Sequence, residues 1–421
     1  MERSKRLVAV WFSAFVVGLL VACVPIVIPE ERGLEHCPNP DAAVDFRDPQ
    51  LAAAVRSTLD LDTPTVSCRA LARLRRLDAF GAGIADLSGI EYAAYLTRIR
   101  LRDNEITDLT PLNALPRLAH IDLRNNPVSD LSTLQGSPVL TRLEMRGNQL
   151  VDLTALASLT TLQILDLRDN AIADITPLGS LSALRQLQLQ GNQVERVDSL
   201  RELTNLEVLA LDNNLVSRAD ALSTLVNLRT LGLRGNQVED ITFAFMLTSL
   251  ESLDLRSNAV TDVSALVGLD KLSTLRLGRN QIEEITALAG LVGLRQLALE
   301  RNAITSIAPL AGLDQLENLD LSRNQIDDTT PLARLTNLTQ LDLSRNQIRD
   351  AAPLGSLSKL TTLSLARNRV EDIAPLLTLE NLSVLDLDRN CLDLEGESSR
   401  HIARLEATGT EVTSERQDTC E

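Results

Sequence analysis

An asparagine recurs every 22 residues, fourteen times without a break, and this sets the strongest limit on what the chain can fold into. The positions are Asn104, Asn126, Asn148, Asn170, Asn192, Asn214, Asn236, Asn258, Asn280, Asn302, Asn324, Asn346, Asn368 and Asn390. The stretch LDLSRNQIRD at 341–350 nearly copies LDLSRNQIDD at 319–328, so whole decapeptides repeat, not single residues. A period of this length marks a stack of like coils, each burying its apolar face only against its neighbours. The 421 residues therefore do not divide into the roughly two or three globular domains that length alone implies.

Within one coil, Leu118, Ile121, Leu123 and Val128 bracket Asn126 in the pattern L-x-x-L-x-L-x-x-N-x-[ILV], the leucine-rich repeat signature. Ile121 and Leu123 alternate with Asp122 and Arg124, which predicts a short strand with its apolar pair inward. Successive strands should form a parallel sheet. The asparagines fall where each strand turns, and a buried amide there can satisfy backbone groups of adjacent coils. After the turn comes D-[ILV]-[ST]-P-L, as in Asp174-Ile175-Thr176-Pro177-Leu178, where the Thr or Ser is expected to cap a short outer 3-10 helix. The recurring aspartates (Asp108, Asp130, Asp152, Asp174, Asp240, Asp262, Asp328, Asp350, Asp372) are read as Asx turns. One carboxylate per rung is too few oxygens for calcium.

Both ends of such a stack expose leucines and need covers. In VDFRDPQLAAAVRSTL, Asp48 is placed to cap a helix, Pro49 stands in its first turn, and Leu51, Val55 and Leu59 share one face. This helix should cover a degenerate first rung in which Ala82 takes the asparagine slot. Gly81-Ala82-Gly83 there completes no G-x-G-x-x-G and is not read as a phosphate loop.

Ahead of the cap, Arg3, Lys5 and Arg6 precede an apolar run that begins at Leu7 and closes with Leu20-Val21-Ala22-Cys23. This is a targeting segment, not part of the fold. It resembles a bacterial lipoprotein signal, which implies cleavage before Cys23 and a lipid on its thiol. The uncharged run continues to Ile28, so an uncleaved membrane anchor stays open. Either way the rest of the chain is expected to be exported, to the outer membrane or cell surface. Four further cysteines then read as disulfides, with Cys37–Cys68 and Cys391–Cys420 favoured because each pair closes a local loop. The expected order is a signal over 1–22, a tether over 23–36, a stapled helical cap over 37–73, about 15 rungs over 74–390, and a stapled C-terminal cap over 391–421.

The cap FRDPQLAAAVRSTL, the transition GIADLSGIEYAAYLTRIRL and the regular rungs together resemble the bacterial internalin-like leucine-rich repeat proteins, from about Val44 to Leu394. The resemblance implies a curved, right-handed α/β solenoid: a parallel sheet on the concave face, short 3-10 helices and loops on the convex face, used for binding at a cell surface. No immunoglobulin-like domain or cell-wall sorting signal follows the repeats, so the family's host-invasion role is not carried over.

Charge narrows the partner. A net charge of −16 argues against nucleic acid, which is captured by surplus Lys and Arg. Arginine nevertheless forms rows in register. Arg102, Arg124, Arg146 and Arg168 stand two residues before their asparagines, followed by Gln190 and Asp212, then Arg234 and Arg256. Arg279, Arg301, Arg323, Arg345, Arg367 and Arg389 stand one residue before theirs. Asp122, Glu144, Asp166 and Asp254 are placed to neutralise the first row; Asp320, Asp342 and Asp386 lie near the second. These rows point to an unidentified protein or an acidic polysaccharide, with a spacer that has no ligand as the alternative. A monomer is expected, and the membrane only through the lipid anchor. Of the aromatics, Phe80 alone falls on a concave position; Phe245 and Met246 are expected to repack the core, an exposed convex patch being the other outcome. The histidines, His36, His120 and His401, are far apart, and no nucleophile–base pair or metal cluster can be assembled. Neither catalysis nor a cofactor is expected.

Overall fold

The computed structural model describes residue 37 and residues 39–417, so Cys23, the signal, the tether and Cys420 lie outside the described residues. Each rung contributes a strand of three residues. Strands β1 (Arg76–Asp78) to β15 (Val384–Asp386) lie side by side in chain order, all parallel. Residues pair across neighbouring strands with their counterparts 22 positions on, as Ile99 with Ile121 and Leu341 with Leu363. Alternation decides which way each side chain goes: Ile121 and Leu123 are fully buried, while Arg124 keeps contact with solvent.

Behind the sheet, short 3-10 turns such as Thr176–Ser180 occupy the outer side. Aliphatic side chains fill the space between as one uninterrupted core from Leu51 to Leu405. The result is an open solenoid with its sheet on the concave face. All nine recurring aspartates accept the N–H two residues on, at 2.7–2.8 Å. This corrects one expectation. The Thr or Ser before proline is not the cap but the first residue of the turn; the aspartate two residues upstream receives its N–H.

The asparagine amides stitch successive coils together. Asn126 donates to the carbonyls of Leu101 (3.0 Å) and Leu123 (3.1 Å) and accepts from the N–H of Ile106 (3.0 Å). The same three bonds recur up to Asn390, which reaches Leu365, Leu387 and Val370. The ladder then takes one further step that the register hides. The Gln417 amide accepts from the N–H groups of Asn390 and Leu392 and donates to the carbonyls of Leu387 and Ser414, each at 3.2 Å. A longer side chain, offset by 27 residues from Asn390, does what asparagine does elsewhere.

The N-terminal cover is the helix α1 (Pro49–Leu59), which buries Leu51, Val55 and Leu59. One Asp48 oxygen receives the N–H groups of Gln50 and Leu51, and the other those of Ala85 and Asp86, so a single carboxylate caps the helix and ties it to the first rung. Burial works to raise its pKa, but these four donors outweigh burial and hold it below the usual range. A disulfide joins Cys37 to Cys68, the first residue of the short helix α2 (Cys68–Leu71). At the other end α3 (Glu397–Ala407) buries Ile402 and Leu405, then leads into a sixteenth strand, β16 (Glu411–Thr413), paired with β15. Cys391 is also disulfide-bonded; Cys420, the partner expected for it, is outside the described residues.

One apolar segment behaves otherwise than expected. In the turn Thr242–Met246 it is Phe243 that enters the core, at 3% exposure, whereas Phe245 and Met246 stand 59% and 52% exposed. The tight 3-10 turn offers inward space to one large side chain, so its neighbours remain on the convex surface.

Candidate binding surface

Strand residues that face away from the core form columns along the concave sheet, and their charges divide it into three regions. Over the N-terminal rungs the charges are matched. Arg124 and Arg168 each clamp the aspartate two residues back, Nε to Asp122 at 2.8 Å and to Asp166 at 2.9 Å, as Arg256 does to Asp254 at 3.0 Å. Arg102 lies 4.3 Å above the ring of Phe80, which is itself 62% exposed, and 3.5 Å from Asp103. Arg146 departs from the expected pairing. It turns to Asp169 at 2.7 Å, leaving Glu144 to Arg142 and to His120 Nε2, which lies at 2.7 Å.

Burial pushes the Glu144 carboxyl up, but the hydrogen bonds from His120 and Arg142 outweigh it, and its pKa falls to about 2. A carboxyl depressed on folding stabilises the native state above its ordinary pKa and loses that contribution as pH falls through the folded value. The Tm should therefore drop as pH is lowered from about 4.5 to about 2, and Glu144→Gln should flatten that part of the profile.

The floor of the C-terminal half is acidic. A groove of about 330 Å³ crosses β10 (Thr274–Arg276) to β14 (Thr362–Ser364), with Ala298, Asp320, Asp342 and Ser364 along it. Asp320 and Asp342 accept the N–H groups of Ser322 and Ser344 at 2.9 and 2.8 Å. Burial, then the neighbouring Asp342, raise the Asp320 pKa; burial, then Asp320, raise that of Glu300. The Glu300 carboxylate fills the space a side chain would take at Gly278, and its Oε2 is buried without a hydrogen-bond partner. Asp320, Asp342 and Asp386 lie near the second arginine row, but among the described residues none of them is ion-paired to it; Asp386 accepts the N–H of Asp388.

The third region is that row itself. The residue before each asparagine slot turns the chain out of the strand with φ between 54° and 68°, on every rung from Gly81 to Arg389. This left-handed region favours residues without a bulky Cβ or with a short polar side chain. The first nine rungs comply: Gly81, Asp103, Asn125, Gly147, Asp169, Gly191, Asn213, Gly235 and Ser257. The last six place Arg279, Arg301, Arg323, Arg345, Arg367 and Arg389 there. Each arginine costs roughly 1–2 kcal/mol of backbone energy. Like charges on neighbouring rungs, whose backbones repeat about every 4.8 Å, add repulsion. All but the half-buried Arg389 are exposed, and among the described residues none forms an ion pair. Desolvation, then Arg323, Arg367, Arg301 and Arg389, depress the pKa of Arg345. The rows themselves are visible in sequence, but the strain is not. The run of Gly, Asn and Asp at the same slot is the signal that locates it.

Among the described residues no cluster of His, Cys, Asp and Glu could hold a metal ion, and no helix is long and apolar enough to cross a membrane.

An open stack of parallel strands with polar, strand-borne columns and short outer turns defines a leucine-rich repeat binding scaffold. The family model for Leucine Rich repeats (2 copies) matches residues 96–136, 160–202, 204–247, 226–268, 248–290, 292–334, 314–356 and 336–377, and the chain belongs to that family. Within it the chain is an internalin-like protein. It is similar to the internalin InlF of Listeria monocytogenes, with 34% identity and a TM-score of 0.74, over 76% of this chain and 95% of that one. A leucine-rich repeat protein of Leptospira interrogans is 26% identical with a TM-score of 0.71, over 82% and 97% of the two chains. The functional domain of the Listeria InlJ shares the fold at 23% identity and a TM-score of 0.67, over 83% of each. No curated protein matches the chain. The Cys37–Cys68 disulfide fits an extracellular setting.

Proposed function

We propose that this protein is an exported binding module, held at the bacterial envelope by a lipid on Cys23, whose curved surface takes a protein or acidic polysaccharide partner. The observation that carries this reading is the arginine row in left-handed backbone. A spacer has no use for six guanidinium groups at positions where glycine or asparagine serves the fold better. The paired rows at Arg102, Arg124, Arg146 and Arg168 belong to the same surface, with Phe80 as an apolar contact at its N-terminal edge. The second staple, Cys391–Cys420, closes the C-terminal cap in this reading.

Reversing Arg301, Arg323, Arg345 and Arg367 to glutamate tests it. Envelope extract passed over the wild-type chain should leave a saturable partner that the reversed chain does not retain. Equal retention by both would remove the arginine row from the binding site, and retention by neither would leave only the spacer. Cys23→Ser should abolish incorporation of labelled palmitate in the producing cell, and continued labelling would remove the anchor from the account.

A further inference from the structure

We propose that the six-arginine row is a rail for a linear anionic glycan laid along the solenoid axis, with one carboxylate or sulfate group over each rung. The inference rests on the binding-module reading and specifies its ligand. Strand pairing sets the spacing: adjacent rungs repeat about every 4.8 Å, so the row runs about 24 Å from Arg279 to Arg389. A pyranose chain advances by a similar step per sugar, carries a charge on each sugar when it is a uronate or a sulfated polymer, and can turn successive charges toward the row by rotation about its glycosidic bonds. An extended peptide presents one face only at every second residue, about 6.6–6.8 Å apart, and falls out of step with the rungs.

Three features of the surface favour this ligand class over others. First, guanidinium groups meet carboxylate or sulfate through paired hydrogen bonds, and a polymer supplying one anion per rung relieves the repulsion along the row. Second, the acidic groove floor, with Asp320 and Asp342 along it, disfavours a polyanion there and leaves it the rim. Third, the sequence beyond Phe245 contains no aromatic residue. These rungs therefore lack stacking platforms for nucleic-acid bases and the Trp or Tyr anchors that dominate protein interfaces.

The test is calorimetric titration of the full-length chain with oligogalacturonates from disaccharide to dodecasaccharide. Dextran oligosaccharides, poly(U) and polyglutamate are titrated alongside. Affinity should climb with glycan length until the chain spans the row and then level off. Each Arg→Gly substitution at 301, 323, 345 or 367 suits the left-handed backbone and so keeps the fold. Each should weaken binding about threefold, the size of one exposed ion pair, and lower the salt slope by about one charge. All four together should weaken it about a hundredfold, while Arg218→Gln, paired with Asp220 at the outer turn and away from the row, should leave it unchanged. Length-independent binding, glycine variants that bind as well as wild type, or tighter binding of poly(U) or polyglutamate would each overturn the glycan assignment. If the glycan fails while envelope capture still depends on the row, only the ligand class is wrong; capture indifferent to the row removes the row from the site, and a wild-type chain that captures nothing overturns the binding reading as well.

Discussion

Asn346→Ala is expected to lower the stability of the solenoid by about 4 kcal/mol, because it strands three buried backbone groups at once. The Asn346 amide donates to the carbonyls of Leu321 and Leu343 at 3.0 and 2.9 Å and accepts from the N–H of Ile326 at 3.1 Å. At 9% exposure the site has little access to water, so these groups keep their desolvation penalty when the amide is removed. Asn346→Asp should be at least as damaging at neutral pH, since it turns a carboxylate oxygen toward two carbonyls. The neighbouring Gln347 is exposed, and Gln347→Ala should change stability by no more than about 0.5 kcal/mol. Urea unfolding followed by circular dichroism reads all three; an Asn346→Ala chain as stable as Gln347→Ala would show that the ladder is dispensable.

Loss of the Cys37–Cys68 disulfide is the second large effect. The bridge closes a loop of sequence separation 31, for which the chain-entropy relation gives about 4 kcal/mol. A solenoid gains stability mainly between neighbouring coils, so the loss should appear first at the end it exposes. In the Cys37→Ala/Cys68→Ala chain, amide exchange should accelerate across α1 and the first rung while the central rungs stay protected. Uniform acceleration along the chain would mean that the cap is not a separate cooperative unit.

Most of the architecture can be read from the asparagine register because each repeat states one coil in full: two inward aliphatics set the strand, the amide sets the turn, and the aspartate sets the outer bend. The ends are less legible because they leave the register. Asp48 and its helix are recognisable from a proline and an apolar face, but nothing local announces that its second oxygen holds Ala85 and Asp86. At the far end β16 and Gln417 continue the sheet and the ladder at an offset of 27, which a search at 22 passes over. The Thr-Pro capping error has a similar origin: composition names the right residues, but the hydrogen bond goes to the aspartate that the repeat also supplies. Hydrophobicity alone puts Phe245 and Met246 in the core, but the turn gives inward room to Phe243 and Ala244 and leaves the former pair outside.

On the candidate surface, spacing brings the arginines into rows but does not reveal which are matched. Arg146 reaches forward to Asp169 rather than back to Glu144, and this depends on side-chain paths that spacing does not encode. The unmatched row is the more informative one. Its cost to the fold appears only when the backbone angle at each rung end is set beside the glycine, asparagine and aspartate that fill the same slot earlier in the chain.

The central claim is that these arginines are kept for a ligand at the expense of stability. Replacing Arg301, Arg323, Arg345 and Arg367 with glycine removes both the left-handed strain and the repulsion, and it adds back part of the flexibility of the unfolded chain. The net gain should be about 0.5–1 kcal/mol per site. Urea midpoints and envelope capture measured on the same preparation decide the matter: a higher midpoint with capture lost is the predicted result, and an unchanged or lower midpoint, or capture retained, would contradict it.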